Sequence, residues 1–314
     1  MTNAELKEAL GSSWVIKNNK VIPVMDNRNF ENYTITCSTA FIWTGSKISV
    51  VPVIKDMDGM EVDAYNYNVS ISPSPVQEAG TYTMTVTGKA SRGYSGTLSH
   101  EFKVVKQLLG EGTQSNPYTI SSTADWNSFA DIVNGGEQYW NKYVALENDI
   151  EISTMVGLDS DHKFEGKFDG RGHKLTANIV SNDPAFEGTA PFHYTYGAEF
   201  YNLTVDGTIT SAGKYAGGLV GWSGIYDEFE NCVVKATIIT GADYAGGFIG
   251  NIGGVSNAKV SFTDCVFAGT IQSIDSNQHK VGGFVGYGMG TTSMTNCLEN
   301  GTYTNISLMN PRTG

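Results

Sequence analysis

Tyr215-Ala216-Gly217-Gly218-Leu219-Val220-Gly221 recurs as Tyr244-Ala245-Gly246-Gly247-Phe248-Ile249-Gly250 and again as Val281-Gly282-Gly283-Phe284-Val285-Gly286. A second element follows each copy: Phe229-Glu230-Asn231-Cys232 with Thr237-Ile238, Phe262-Thr263-Asp264-Cys265 with Thr270-Ile271, and Met294-Thr295-Asn296-Cys297 with Thr302-Tyr303. An earlier, degenerate copy runs from Phe200-Tyr201-Asn202-Leu203 to Thr208-Ile209, which sets the period at 29 to 33 residues. A unit this short and Gly-rich has no core of its own, so it must stack on its neighbours with its apolar positions inward. Strand-length apolar runs broken by glycine therefore point to a right-handed parallel β-helix, whose equivalent residues lie about 4.8 Å apart in successive coils.

Stacking predicts ladders. Leu203, Cys232, Cys265 and Cys297 form one inward column, and Leu219, Phe248 and Phe284 another. The repeat glycines Gly217, Gly218, Gly221, Gly246, Gly247, Gly250, Gly282, Gly283 and Gly286 fall where the chain turns or where backbones approach too closely for a side chain. Stacked cysteines lie within disulfide reach, but in-register parallel side chains point the same way and three leave one over. A zinc site lacks a fourth ligand and any Cys-x-x-Cys clip, so buried free thiols are the expectation. The first coil needs a cover. Ser122 as N-cap, Asp125 at the third helical position, and Trp126, Phe129, Ala130 and Val133 at helical spacing before Gly135-Gly136 predict a helix whose aromatic face plugs it. The segment Asn305–Gly314 offers no matching cover at the other side.

The first half reads differently. From Tyr33 to Val105, short alternating runs recur every eight to twelve residues, as in a β-sandwich. Tyr82, Met84 and Val86 share one face of a strand entered from Ala79-Gly80, and Tyr67, Val69 and Ile71 mark another that ends at Pro73-Ser74-Pro75. Cys37 is the one cysteine of this half, which excludes a disulfide within it. The segment before it, with Leu6, Leu10, Trp14 and Val15 to Met25, reads as the tail of a preceding domain or a linker. The expected organisation is a tail over 1–30, a sandwich over 31–107 and a β-helix over 108–314, an all-β chain apart from the one helix.

Composition narrows the function. The chain has 314 residues, a net charge of −12 and no basic stripe, which argues against nucleic acid, since phosphate binding depends on clustered Lys and Arg. No apolar run reaches the roughly 18 residues of a membrane span, and Met1–Gly11 does not read as a signal peptide.

Two resemblances add to this reading. Phe41-Ile42-Trp43-Thr44-Gly45, Val51-Pro52-Val53, Ala79-Gly80-Thr81-Tyr82 and Tyr94-Ser95-Gly96-Thr97 resemble the Ig-like modules repeated in bacterial surface proteins, where such modules are mostly spacers. The Gly-Gly-Leu-Val-Gly repeats, preceded by Gly112-Thr113-Gln114-Ser115-Asn116-Pro117-Tyr118-Thr119-Ile120 and by Phe168-Asp169-Gly170-Arg171-Gly172-His173, resemble the GLUG-repeat region of surface proteins of gut Bacteroidetes. The first copy departs from that pattern, with Ala190-Pro191-Phe192-His193-Tyr194 in place of the Gly-rich stretch. The resemblance implies an adhesin-like role without cofactor, at the cell surface or outside the cell, in a piece of a larger, outer-membrane-anchored chain whose leader lies elsewhere.

A search for chemistry returns one dense polar stretch: Asp159, Asp161, His162, Glu165, Asp169, Arg171 and His173. An enzyme on a β-helix, such as a polysaccharide lyase or hydrolase, needs carboxylates or a base with Lys or Arg converging on one exposed face. Here Phe164, Phe168 and Leu175 are the inward positions and Gly166, Gly170 and Gly172 mark turns, which leaves these charges on a solvated rim; Asp159 and Asp161 are weak metal candidates. The functional expectation is either binding, to a host or microbial glycan or protein, through Tyr194, Tyr196, Trp222, Tyr226 and Tyr287 near the turns, or service as a rigid surface stalk. Trp222 and Tyr287 follow equivalent glycines, with Asn251 interrupting the aromatic line between them.

Overall fold

A computed structural model describes the chain apart from residues 1, 12–13, 18, 24–27, 44–45, 242, 254–257, 275–279, 306 and 309–314. Thr44 and Gly45 of the Ig-like string, Val24 and Met25 of the opening segment, and most of the C-terminal stretch lie outside the described residues. The chain is mostly β, with two α-helices among the described residues, and divides into two compact units, Met1–Lys106 and Gln107–Gly314.

In the first unit, an antiparallel pair Trp14–Lys17 and Lys20–Pro23 follows a helix, Asn3–Leu10. That helix corrects the expectation of a single one. Its signal is a capping box in which the Thr2 hydroxyl accepts from the Glu5 amide and the Glu5 carboxylate accepts from the Thr2 amide, although none of its residues is buried. The main sheet runs in the order Ala40–Trp43, Thr97–Lys106, Gly80–Gly88, Tyr67–Ser72, and a two-stranded sheet pairs Thr34–Thr36 with Val53–Lys55. Tyr82, Met84 and Val86 point into one core with Phe30, Ile54, Phe102 and Val104, as their alternation demands. On the edge strand Val69 is 40% exposed, so its alternation does not translate into burial there.

The second unit is a β-solenoid. Sheet I contains seven parallel strands, among them Tyr143–Leu146, Lys167–Asp169, Glu199–Tyr201, Glu228–Glu230 and Lys259–Thr263. Its inward column, Phe168, Phe200, Phe229 and Phe262, stacks in register. Sheet II carries a second column of Ile179, Ile209, Ile238 and Ile271, all buried. Sheet III is built from Phe192–Thr195, Val220–Ser223, Ile249–Ile252 and Val285–Gly288, and sheet IV from Tyr215–Gly217, Tyr244–Gly246, Lys280–Gly282 and Ser307–Leu308.

The repeat glycines hold sheets III and IV together. Of the nine, only Gly218, Gly247 and Gly283 lie in the bend between the two sheets; the other six belong to strands, and none has a positive φ. Space is the reason for them. A Cβ on Gly217 would stand 1.9 Å from the Val220 carbonyl oxygen, and one on Gly221 1.8 Å from that of Gly188. Sheet IV thus lies against sheet III backbone to backbone, far closer than the ordinary face-to-face spacing of about 10 Å. The left-handed backbone occurs elsewhere, at Asn202, Asn231, Asp264 and Asn296 (φ 50 to 53°), the residues that leave sheet I. Asn is among the few side chains that adopt it readily, and here the side chains also bond between coils, Asn231 Nδ2 donating to Asn202 Oδ1 at 2.8 Å.

The helix Thr123–Asn134 starts as its sequence indicates, with the Asp125 amide donating to the Ser122 hydroxyl at 3.2 Å. Trp126 and Phe129 are fully buried, and their rings meet Phe164, Phe168 and Phe192 at 5.5 to 6.3 Å. The Trp126 indole N–H donates to the Thr154 carbonyl at 2.8 Å.

Candidate functional site

Aromatic side chains gather where sheets III and IV meet. Register sets Tyr194, Trp222, Asn251 and Tyr287 in one column of sheet III, and Tyr215 and Tyr244 in sheet IV. Tyr194 and Trp222 stack at 5.9 Å between ring centroids. Asn251 is buried, and the sequence places it as a gap in the line. Tyr215 and Tyr244 bridge that gap: Tyr215 meets Trp222 at 5.3 Å and Tyr287 at 6.2 Å, and Tyr244 meets Tyr287 at 4.5 Å. Lys214 and Lys280 lie over the Tyr215 and Tyr244 rings at 5.1 and 5.7 Å. Trp222, Tyr194, Tyr244 and Tyr287 stay half-buried, while Tyr226 and Tyr196 are more exposed, with Lys163 over Tyr196 at 4.5 Å. Sequence reasoning misses Tyr215 and Tyr244 because they precede the glycines, on a strand whose contact with the next sheet appears only after folding.

The dense polar stretch does not converge. Asp159 folds onto its own loop, its Oδ1 accepting from the Asp161 amide, the His162 amide and the His162 ring at 2.8 to 3.0 Å. His173 faces Asp149 at 3.3 Å. Phe164, Phe168 and Leu175 are inward, each fully buried. Among the described residues no three His, Cys, Asp or Glu side chains are placed to hold a metal ion.

Asp169 and Arg171 instead line a groove of about 380 Å³ on the outer face of sheet I, with Gln114, Tyr143, Lys167 and Tyr201. Register explains it. Thr119, Ala145, Asp169 and Tyr201 form one outward column, and the small Ala145 leaves a dent between larger neighbours. Lys167 donates to both oxygens of Glu199 at 2.7 and 2.8 Å, a contact that holds its ammonium charged, and Arg171 pairs with Glu147. Lys167 lies two residues before Asp169 on the same face of one strand, whereas Tyr143 and Tyr201 carry no local motif and reach Asp169 only through the stacking of coils.

Two buried ionisable groups lie nearby in sequence. Asp227 is fully buried; it accepts from the Ala198 amide at 2.8 Å and from the Thr195 hydroxyl, and burial pushes its carboxyl up to about 6 against those hydrogen bonds. Burial depresses the His193 imidazole, whose Nδ1 meets the Gly188 carbonyl at 2.8 Å. In the cysteine column, Leu203, Cys232 and Cys265 are buried and Cys297 is half-buried; all three thiols are free. Each donates to the backbone, Cys232 to Glu230 at 3.4 Å and Cys265 to Thr263 at 3.3 Å.

No protein-family model matches the chain, and no curated protein does. Among solved structures, the chain is similar to a putative immunoglobulin A1 protease from Bacteroides ovatus, at 16% identity and a TM-score of 0.31, over 64% of this chain and 86% of that one. Among the described residues no helix is long and apolar enough to cross a membrane.

Proposed function

We propose that this chain is a non-enzymatic, adhesin-like module of a cell-surface or secreted protein, whose solenoid carries the contact surface for a host or microbial glycan or protein. One observation carries the reading: the aromatic cluster of Tyr194, Trp222, Tyr215, Tyr244 and Tyr287, which continues over the Asn251 gap. Four of these rings are half-buried and Tyr215 is buried; half-buried aromatic rings give large, rigid contact area at little entropic cost. In this reading the solenoid over 108–314 is a GLUG-type, right-handed β-helix, the helix Thr123–Asn134 covers its first coil, and the 31–107 segment is an Ig-like spacer after a linker.

The test is retention of the purified chain on an array of host and microbial glycans and matrix proteins, read together with release of shortened products. Retention without products, lost in Trp222→Ala or Tyr287→Ala, is the expected result. Shortened products would sink the non-enzymatic reading in favour of polysaccharide processing. Retention untouched by either substitution would move the contact away from the aromatic cluster.

A further inference from the structure

We infer that the groove on the outer face of sheet I is a binding site for a neutral saccharide, separate from the aromatic cluster and independent of it. Its floor is Ala145, only 1% exposed because Tyr143 and Asp169 rise around it on the same face. Its volume of about 380 Å³ falls within the roughly 300 to 1,000 Å³ of small-molecule sites.

The polar groups are fixed before any ligand arrives. Asp169 Oδ1 accepts from the Arg171 amide at 2.9 Å and from Asn202 Nδ2 at 3.0 Å, which orients the carboxylate and leaves Oδ2 with no partner among the described residues. Arg171 uses one guanidinium nitrogen on Glu147 and keeps its remaining N–H donors. Tyr143 supplies an aromatic face, with the Lys167 ammonium 5.5 Å from its ring centroid. One free carboxylate oxygen beside free guanidinium and Gln114 amide donors suits the paired hydroxyls of a pyranose, and the tyrosine ring suits its C–H face.

Charge decides between neutral and acidic sugars. Lys167 and Arg171 are each neutralised, by Glu199 and Glu147, so Asp169 leaves the groove with one net negative charge. A uronate or sialate would meet a carboxylate with no cation free to offset it. The same pairing argues for binding without turnover, because Glu199 and Glu147 are committed to ion pairs and Asp169 has no second carboxylate working across a bond.

The experiment is titration calorimetry of the intact chain with cellohexaose, mannohexaose, laminarihexaose and hexagalacturonate. Asp169→Asn keeps an oxygen for Arg171 and Asn202 and turns the free acceptor into a donor; Tyr143→Ala removes the aromatic face. At least one neutral hexaose is expected to bind, tenfold or more weakly in both variants and unchanged in Trp222→Ala, with circular dichroism confirming the fold of each. Binding of hexagalacturonate alone, or of no hexaose at millimolar concentration, overturns the proposal. A hexaose lost in Trp222→Ala and kept in Asp169→Asn also overturns it and leaves the aromatic surface standing; loss confined to the groove variants supports the groove and leaves the aromatic surface to its own test.

Discussion

Gly250 and Ala216 meet backbone to backbone: a Cβ at position 250 would stand 2.9 Å from the Ala216 carbonyl carbon and 3.0 Å from its nitrogen. Neither atom sits at the end of a flexible side chain, so sheet IV must move off sheet III to admit a methyl group. Gly250→Ala is therefore expected to cost about 3 kcal/mol, as overpacking does, and to lower the melting temperature of the solenoid by roughly 6 to 12 °C. Gly172→Ala is the control. Its Cβ would meet open space and only the positive φ of 81° is unfavourable, so the loss should stay near 1 kcal/mol. Equal melting shifts in the two variants would mean that the sheets do not touch at Gly250.

The solenoid is legible in the sequence because its signal is the period itself. What each repeated residue does is less so. A glycine serves either a left-handed backbone or a close approach, and Gly217 to Gly221 read the same under both until sheet IV is found against sheet III. The left-handed positions fall instead on Asn202, Asn231, Asp264 and Asn296, each one residue before the Leu/Cys column and visible there as the Asn/Asp preference. The groove was half legible. Asp169 and Arg171 stand out as charges near turning glycines and Lys167 shares the strand of Asp169, whereas Tyr143 and Tyr201 join them only through the register of three coils.

Asn231 separates backbone strain from side-chain bonding. Its φ is 52° and its amide donates to Asn202 Oδ1. Asn231→Gly relieves the backbone and loses the inter-coil bond, at about 1 kcal/mol; Asn231→Ala loses the bond and adds strain, for about 2 to 3 kcal/mol in all. Denaturant titration should rank the wild type first, Gly second and Ala last. An alanine variant as stable as the glycine one would contradict the left-handed turn.

Thiol reactivity reads the burial of the cysteine column. In the native chain Cys37 and Cys297, both half-buried, should react with a disulfide reagent at pH 8, while Cys232 and Cys265 react only after unfolding. Contact with the Cys265 thiol, then burial, holds the Cys232 thiol well above its ordinary range, so little attacking thiolate forms there. Single Cys→Ala variants assign the fast sites. Four thiols reacting at the unfolded rate would show that the coils do not shield this column.

Asp227 gives the solenoid a pH-dependent weakness. Burial raises its carboxyl from 3.8 to about 6, so the folded chain binds that proton more tightly than the unfolded one. The sign follows from linkage: this stabilisation is fully present below about pH 4, declines as pH rises, and is gone above about 6, a change of about 3 kcal/mol. Other carboxylates slope the opposite way; the Lys174 amide and the His173 ring, for example, hold Asp149 below its usual range. The quantity to follow is therefore the stability of the wild type minus that of Asp227→Asn, measured by denaturant titration at intervals from pH 4 to 7. The asparagine keeps an oxygen for the Ala198 amide, and the Thr195 hydroxyl can turn to accept from its NH₂ group, so the variant should fold. That difference should fall by about 3 kcal/mol between pH 4 and 6 and stay level above. A difference flat across the whole range would mean that Asp227 ionises as it would in water, and that the corner of Thr195, Ala198 and Asp227 is open to solvent.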